Sequence, residues 1–263
     1  MIDSHCHLNF ESLYKDFDNI ISRAKKNDIK CILSINTDPK DFDDHYKLIR
    51  DYQSIYLTFG IHPDTVNAQN ILNSEEIYNF TKYEKVIGIG ETGLDFYHST
   101  ENKSDQYKSF EYHIESSYKS GLPLIIHQRN SENEIIEFLN NFQKFKPLKV
   151  IFHCFTGTEK LIKFCLDNEF YISLSGIITF KNAEILRNTV KSFPLDYLLV
   201  ETDSPFLSPS PLRGKNNEPS FIKHTYDYLS EFYEISKKEF IKITDDNFYK
   251  LFSKSIRYNE ISK

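Results

Sequence analysis

The sequence contains no tryptophan, and only one methionine, four cysteines and eight glycines among 263 residues. The missing tryptophan accompanies a richness in Lys, Asn, Ile, Tyr and Phe. It reads as a bias of the coding genome and excludes no function. Cys6, Cys31, Cys154 and Cys165 form no C-x-x-C pair and no small-domain disulfide framework. Reduced thiols in a cytoplasmic protein are the expectation. No window approaches the ~20 continuous apolar residues of a membrane helix, and mean hydropathy is -0.49. The opening MIDSHCHLNF has neither the basic region nor the apolar stretch of a secretion signal. Positive charge is not in excess: 32 Lys and Arg stand against 38 Asp and Glu, for a net charge of -6. That disfavours a protein that simply coats nucleic acid. A nuclease stays open, because metal ions can supply the positive charge of a site.

Low-complexity stretches and Gly/Ser linkers are also missing. The composition, 40% hydrophobic, 27% charged and 15% aromatic, excludes a disordered, collagen-like or coiled-coil chain. The length suits one α/β barrel, so residues 1–263 are expected to form a single barrel domain. What repeats is a pattern. Short β-rich runs cover Ile2–His5, Lys30–Asn36, Ile55–Ile61, Lys85–Glu91, Pro123–His127, Lys149–Phe155, Phe170–Gly176 and Tyr197–Asp203. Amphipathic stretches of helical length lie near 12–27, 40–52, 73–84, 102–120, 131–144, 158–168 and 182–193. Two further helices are expected within 219–254. Asn102 or Ser104, Ser131 and Thr158 suit helix caps, and Gly121 suits a helix stop. Eight strands, each followed by a helix, predict a (β/α)8 TIM barrel. A doubly wound sheet would carry a Gly-rich phosphate turn. GIGETG at Gly88–Gly93 lacks the required spacing.

The polar residues that interrupt these runs fall at the expected strand ends. They are His5 and His7, His62, Glu91, His127, His153 and Asp203. In a barrel those ends converge on one mouth, where barrel enzymes place their sites. Strand alternation sets His5 and His7 on one face and Cys6 on the other, and turns Cys154 away from His153. Each residue alone has a bland explanation, as a polar strand end, a helix cap or a turn. Their coincidence at one mouth points to a divalent-metal site with nitrogen and oxygen ligands. Two metals sharing one carboxylate fit six such ligands better than one metal does. His45, His113 and His224, in helix-like stretches, and His98, in a loop, are read as structural.

The motifs DSHCHL (Asp3–Leu8), GIHP (Gly60–Pro63), GETGLDFY (Gly90–Tyr97), HCFTG (His153–Gly157), SGIITFKNA (Ser175–Ala183), VETDSPFL (Val200–Leu207) and RGKNNEP (Arg213–Pro219) occur in one order along the chain. Together they resemble the TatD family of metal-dependent deoxyribonucleases, from residue 2 to about residue 252. The resemblance implies a barrel related to the amidohydrolases with two divalent cations, Zn, Mg or Mn. It implies His5, His7 and Asp203 on the first metal, His127 and His153 on the second, and Glu91 as the bridge. Glu91 then stands where related amidohydrolases often carry a carbamylated lysine. It also implies DNA as substrate, cut as a 3′–5′ exonuclease on single-stranded or frayed ends. One departure is visible. After His127 the family usually has Thr or Ser and then Arg-Asp, whereas this chain has Gln128-Arg129-Asn130.

The expected chemistry is hydrolysis by a hydroxide that two cations generate from water near neutral pH. Asp203 is a candidate to accept or orient the proton as well as to ligate, and Glu91 to act with it. His62, Arg129, Arg213 and Lys215 are candidates for phosphate contact. Arg213 could instead pair with Glu218 and order the loop Pro205–Pro219. The same hydroxide could attack a carbonyl, so an acyl hydrolase acting on an amide, a lactone or an aminoacyl-tRNA ester is the alternative. A metal-binding scaffold without turnover is a third reading. No membrane association and no obligate protein partner are expected.

Overall fold

Each β-rich run becomes a strand, and the segment after it carries the chain back so that the next strand runs parallel. The structure, a computed structural model, describes residues 1–97, 100–143, 147–257 and 260–263. The strands are β1 (Ile2–Cys6), β2 (Cys31–Asn36), β3 (Ile55–Phe59), β4 (Val86–Asp95), β5 (Leu124–Arg129), β6 (Val150–Phe152), β7 (Tyr171–Leu174) and β8 (Leu198–Val200). They form one eight-stranded sheet in sequence order, and the pairings are parallel. The sheet curls back on itself. Cys6 bridges to Ser204, Ser4 Oγ donates to the Val200 carbonyl at 2.9 Å, and Asp203 N–H donates to the His5 carbonyl at 2.9 Å. The expected TIM barrel is the observed fold.

The helices are α1 (Glu11–Tyr14), α2 (Phe17–Lys26), α3 (Phe42–Ile49), α4 (Ser74–Phe80), α5 (Lys103–Ser120), α6 (Glu132–Gln143), α7 (Glu159–Asp167), α8 (Glu184–Val190), α9 (Ile222–Phe232) and α10 (Lys237–Leu251). The helix expected over 12–27 is two helices. Asp16 leaves helical geometry with ψ 22°, and its carboxylate takes the Arg23 guanidinium at 2.8 Å and the Asn19 amide at 2.6 Å. Thr158 caps α7 as expected, and Gly121 ends α5 with φ 72°. Asn102 stands at the start of α5 without a side-chain cap bond. Its amide instead donates to the Pro63 and Val66 carbonyls. His98 and residue 144 lie outside the described residues. Among the described residues no helix is long and apolar enough to cross a membrane.

Strand alternation divides the core in two. Leu33, Tyr56, Ile87, Ile125, Ile151, Tyr171 and Leu199 face the barrel interior and pack with Phe248, Leu251 and Phe252 at the end of α10. Their strand neighbours Ile32, Leu57, Val86, Ile126, Phe152, Ile172 and Val200 face outward into the cluster under the helices. The inward apolar layer is the floor of the site. The next inward positions along the strands are polar, and they form the layer above it.

Candidate metal centre

β1 delivers His5 within the strand and His7 just past it, on the interior side, while Cys6 packs in the outer cluster. The alternation argument holds there. It fails at Cys154. β6 ends at Phe152, so alternation stops, and Cys154 takes a left-handed φ of 44°. It lines the same cavity as His153 instead of turning away. Three other strand ends shift for similar reasons. β8 stops at Val200, and Asp203 reaches the mouth three residues later, itself in the left-handed region with φ 54°. β3 stops at Phe59, and His62 opens the 3-10 turn Pro63–Thr65. β4 runs on to Asp95, so Glu91 lies in mid-strand. Glycine allows that course. A Cβ on Gly60 would lie 2.5 Å from the Gly90 carbonyl carbon, and one on Gly90, at φ 127°, would lie 2.4 Å from the Ile125 carbonyl oxygen. β3, β4 and β5 therefore close in tightly around Glu91.

Glu91 is the hub. Its Oε2 lies 3.3 Å from His5 Nε2 and 3.9 Å from His7 Nε2. Its Oε1 lies 2.8 Å from His127 Nδ1, 2.7 Å from His153 Nε2 and 3.3 Å from His62 Nε2. Asp203 Oδ1 completes the first side, 3.4 Å from His7 Nε2 and 3.7 Å from His5 Nε2. Among the described residues three overlapping triads bring possible ligand atoms within 4.8 Å of one another: His5, His7 and Asp203; His5, Glu91 and His153; His62, Glu91 and His127. The structure thus brings together all six residues expected as ligands, with His62 beside them.

The outer ring nitrogens sort the imidazoles. His127 Nε2 donates to Asp95 Oδ2 at 2.9 Å, His153 Nδ1 faces Glu201 Oε1 at 3.5 Å, and His7 Nδ1 faces the Ile35 carbonyl at 3.4 Å. A proton held there leaves the inner nitrogen's lone pair for a metal, the usual arrangement of ligating histidines. His62 is the reverse. Its Nδ1 accepts the Asp64 N–H at 3.2 Å, so the proton of the neutral ring stands on Nε2 and points into the site as a donor. His5 is almost wholly buried, and among the described residues neither of its ring nitrogens makes a well-aligned hydrogen bond, although Glu91 Oε2 stands 3.3 Å from Nε2. A buried imidazole so poorly satisfied is costly unless something else takes its lone pair. This donor set fits divalent cations.

Charge follows geometry. Burial alone would raise the Glu91 carboxyl, but His153, His62 and His127 hold it well below the usual range. Burial likewise works against Asp203, and His7, His5 and His153 overcome it and lower its pKa. Burial would lower His153, yet Glu91 and Glu201 push it well above an ordinary histidine. His127 is raised by Asp95 and Glu91 against its burial. His5 moves down, because burial and the neighbouring His153 act together. Protons and metal therefore compete for the same nitrogens.

A family model described as TatD related DNase matches residues 2–253. The chain belongs to the TatD-related DNase family. It is 36% identical over 255 residues to the uncharacterized metal-dependent hydrolase YcfH of Escherichia coli strain K12, covering 96% of this chain and 95% of that protein. It is 35% identical over 254 residues to the uncharacterized metal-dependent hydrolase YabD of Bacillus subtilis strain 168, covering 96% and 98%. The crystal structure of YjjV, a TatD homologue of Escherichia coli K12, superposes with a TM-score of 0.88 at 23% identity over 96% of this chain and 98% of that one, which shows a common fold. This TatD-family chain is a metal-dependent hydrolase with its histidine and carboxylate cluster at the barrel mouth.

The remaining expected site residues divide. His62 and Arg129 line a cavity of about 750 Å³ over the cluster, and Arg213 and Lys215 are not among its lining residues. Arg213 lies over the Phe180 ring, 3.5 Å from its centroid. Its alternative pairing with Glu218 does not occur, because Arg23 takes that carboxylate at 2.7–2.9 Å. Asn130 is exposed at φ 52°, a conformation asparagine tolerates, and stands outside the cavity lining. Asp95 and Glu201 are the two carboxylates that the sequence reading missed. His45 and His113 are structural as expected: His45 Nε2 pairs with Ser34 Oγ at 2.7 Å, and His113 bridges the Ser109 carbonyl and the Ile61 N–H.

Proposed function

We propose that this chain is a DNA phosphodiesterase, working from the 3′ end of single-stranded or frayed DNA with two divalent cations. The observation that carries the reading is the division of Glu91, whose two carboxylate oxygens face two separate ligand sets. His5, His7 and Asp203 would hold one ion and His127 and His153 the other, with Glu91 between. The cations, when bound, supply an acidified water and neutralise the charge that builds on phosphoryl oxygens. Asp203, held ionised and only partly buried, would take the proton from the attacking water. The Nε2–H of His62 and the guanidinium of Arg129 are cavity donors suited to the non-bridging oxygens of a phosphate. The Arg129 guanidinium lies over the Tyr97 ring, 3.6 Å from the ring centroid.

The donor set serves attack on carbonyl carbon as readily as on phosphorus. The deciding experiment is a substrate panel with Mg²⁺, Mn²⁺ and Zn²⁺: end-labelled single- and double-stranded DNA, RNA, a lactone and an aminoacyl-tRNA ester. Release of mononucleotides from 3′-labelled single strands is expected. Turnover of the esters with no DNA cleavage would replace this reading with the acyl-hydrolase one.

A further inference from the structure

The cavity over the metal cluster has two unlike walls. One carries the donors His62 and Arg129, with the Asp95 carboxylate turned to His127, and suits an anionic group. The other is built from Phe10, Ile177, Phe206 and Leu207. A phosphodiester has no use for an apolar wall, since its oxygens need donors on every side that closes over them. A group that is flat and apolar on its faces does have a use for it.

Phe206 is the unusual member of that wall. It is 50% exposed, although a ring of that size normally packs away from water. It is held rather than loose. Its N–H donates to the Asp203 carbonyl at 2.9 Å, and its own carbonyl accepts the Asn217 amide at 2.6 Å. Phe10 meets the ring at 88° with centroids 5.7 Å apart, and Phe10 in turn lies 4.8 Å from the His7 ring. The rings climb from a candidate metal ligand to the rim, and Phe206 ends the series with half its surface open. Its position is tied to Asp203 three residues earlier, so a group resting on it stands at a fixed offset from the reacting centre.

We propose that Phe206, backed by Phe10, is a stacking platform for the base of the terminal nucleotide. The inference rests on the phosphodiesterase reading and deepens it by naming how the strand end is recognised. A base lying on Phe206 has left its own stack, so the platform selects unpaired ends. Base-on-aromatic stacking tolerates any base, because every base has a π face. The polar wall then receives the phosphate while the apolar wall receives the base.

The test uses the full-length, metal-loaded protein and a single-stranded oligonucleotide with 2-aminopurine at its 3′ end. A terminal phosphorothioate slows cleavage, and a matched strand carries an abasic 3′ residue. The wild-type protein should quench the fluorophore and bind the base-bearing strand roughly tenfold more tightly than the abasic one. Phe206→Ala should remove most of that ratio, and Phe206→Tyr should keep it. A ratio unchanged in Phe206→Ala, in a protein whose wild type cleaves DNA, would overturn the platform and leave the phosphodiesterase standing. A wild type that neither binds nor cleaves DNA but hydrolyses esters would overturn both.

Discussion

Asp95 is the residue whose replacement reports most directly on how the candidate centre is built. Its carboxylate has two tasks. Oδ2 accepts from His127 Nε2 at 2.9 Å, and Oδ1 accepts the Tyr97 N–H at 2.8 Å. Its backbone is pinned independently, because the Gln106 amide bonds both its N–H and its carbonyl at 2.9 Å. Asp95→Asn should therefore leave the strand and α5 in place. What changes is the identity of the group facing His127. The Tyr97 N–H claims the amide oxygen, so the amide NH2 turns to His127 Nε2. That nitrogen must then accept, and the proton of the neutral ring moves to Nδ1, the atom beside Glu91. A protonated Nδ1 cannot ligate. The loss of such outer partners lowers metal affinity or activity by ~10–100-fold, or about 1.4–2.7 kcal/mol. The affinity should be read by competition against a chromophoric chelator, with thermal unfolding of the metal-free protein as the control. We expect one class of site to weaken by that factor and the apo melting temperature to hold. Wild-type affinity in Asp95→Asn would refute the assignment of His127 Nδ1 to a metal.

Three further outcomes follow from the same geometry. Glu91→Gln should reduce metal loading more than His5→Ala or His127→Ala, because its carboxylate faces both ligand sets; elemental analysis that finds full loading with near-normal turnover would remove its bridging role. His113, fully buried, has its pKa lowered to about 4 from 6.5 by burial, so the unfolded chain takes up the proton first as the pH falls. Its stabilising contribution is complete above pH 6.5 and is lost towards pH 4, amounting to about 2 kcal/mol at pH 5 at 1.36 kcal/mol per unit. His113→Gln should therefore narrow the gap in urea stability between pH 7.5 and pH 5 by that amount, and an unchanged gap would contradict it. Arg213→Ala should leave the salt dependence of DNA binding unchanged, because its guanidinium lies over Phe180 and outside the cavity lining; a slope shallower by roughly one counterion would return it to phosphate contact.

The barrel was legible because short β-rich runs and helical stretches alternate along the whole chain, and that rhythm survives errors at the element ends. The errors came where a local side chain overrode the pattern. Asp16 broke one amphipathic stretch by drawing Arg23 and Asn19 to itself. The convergence of the six candidate ligands on one mouth was legible for a different reason. Histidine and carboxylate are out of place in apolar strand runs, so each marked a position where the interior turns polar. Arg213 and Lys215 lay beyond that signal. Positive charge in a mouth loop does not fix where a side chain lies, and Arg213 found the Phe180 ring.

The two missed carboxylates show where the sequence signal stopped and why. Glu201 was within reach of the argument already used for His5 and His7. It stands two residues before Asp203 and two after the inward Leu199, so alternation sends it inside. There Ser173 Oγ donates to its Oε2 at 2.5 Å, and its Oε1 faces His153. Asp95 was hidden by glycine. Gly90 and Gly93 within GETG look like a strand ending, since glycine weakens strands and favours turns. Here they do the opposite. A Cβ on Gly93 would lie 2.1 Å from the His127 carbonyl oxygen, so its absence lets β4 press against β5 and continue for four residues past Glu91. That continuation carries Asp95, with the same parity as Glu91, to the outer nitrogen of His127. The residues that make the strand look finished are those that allow it to go on, and the partner that orients a candidate ligand lies on the part they conceal.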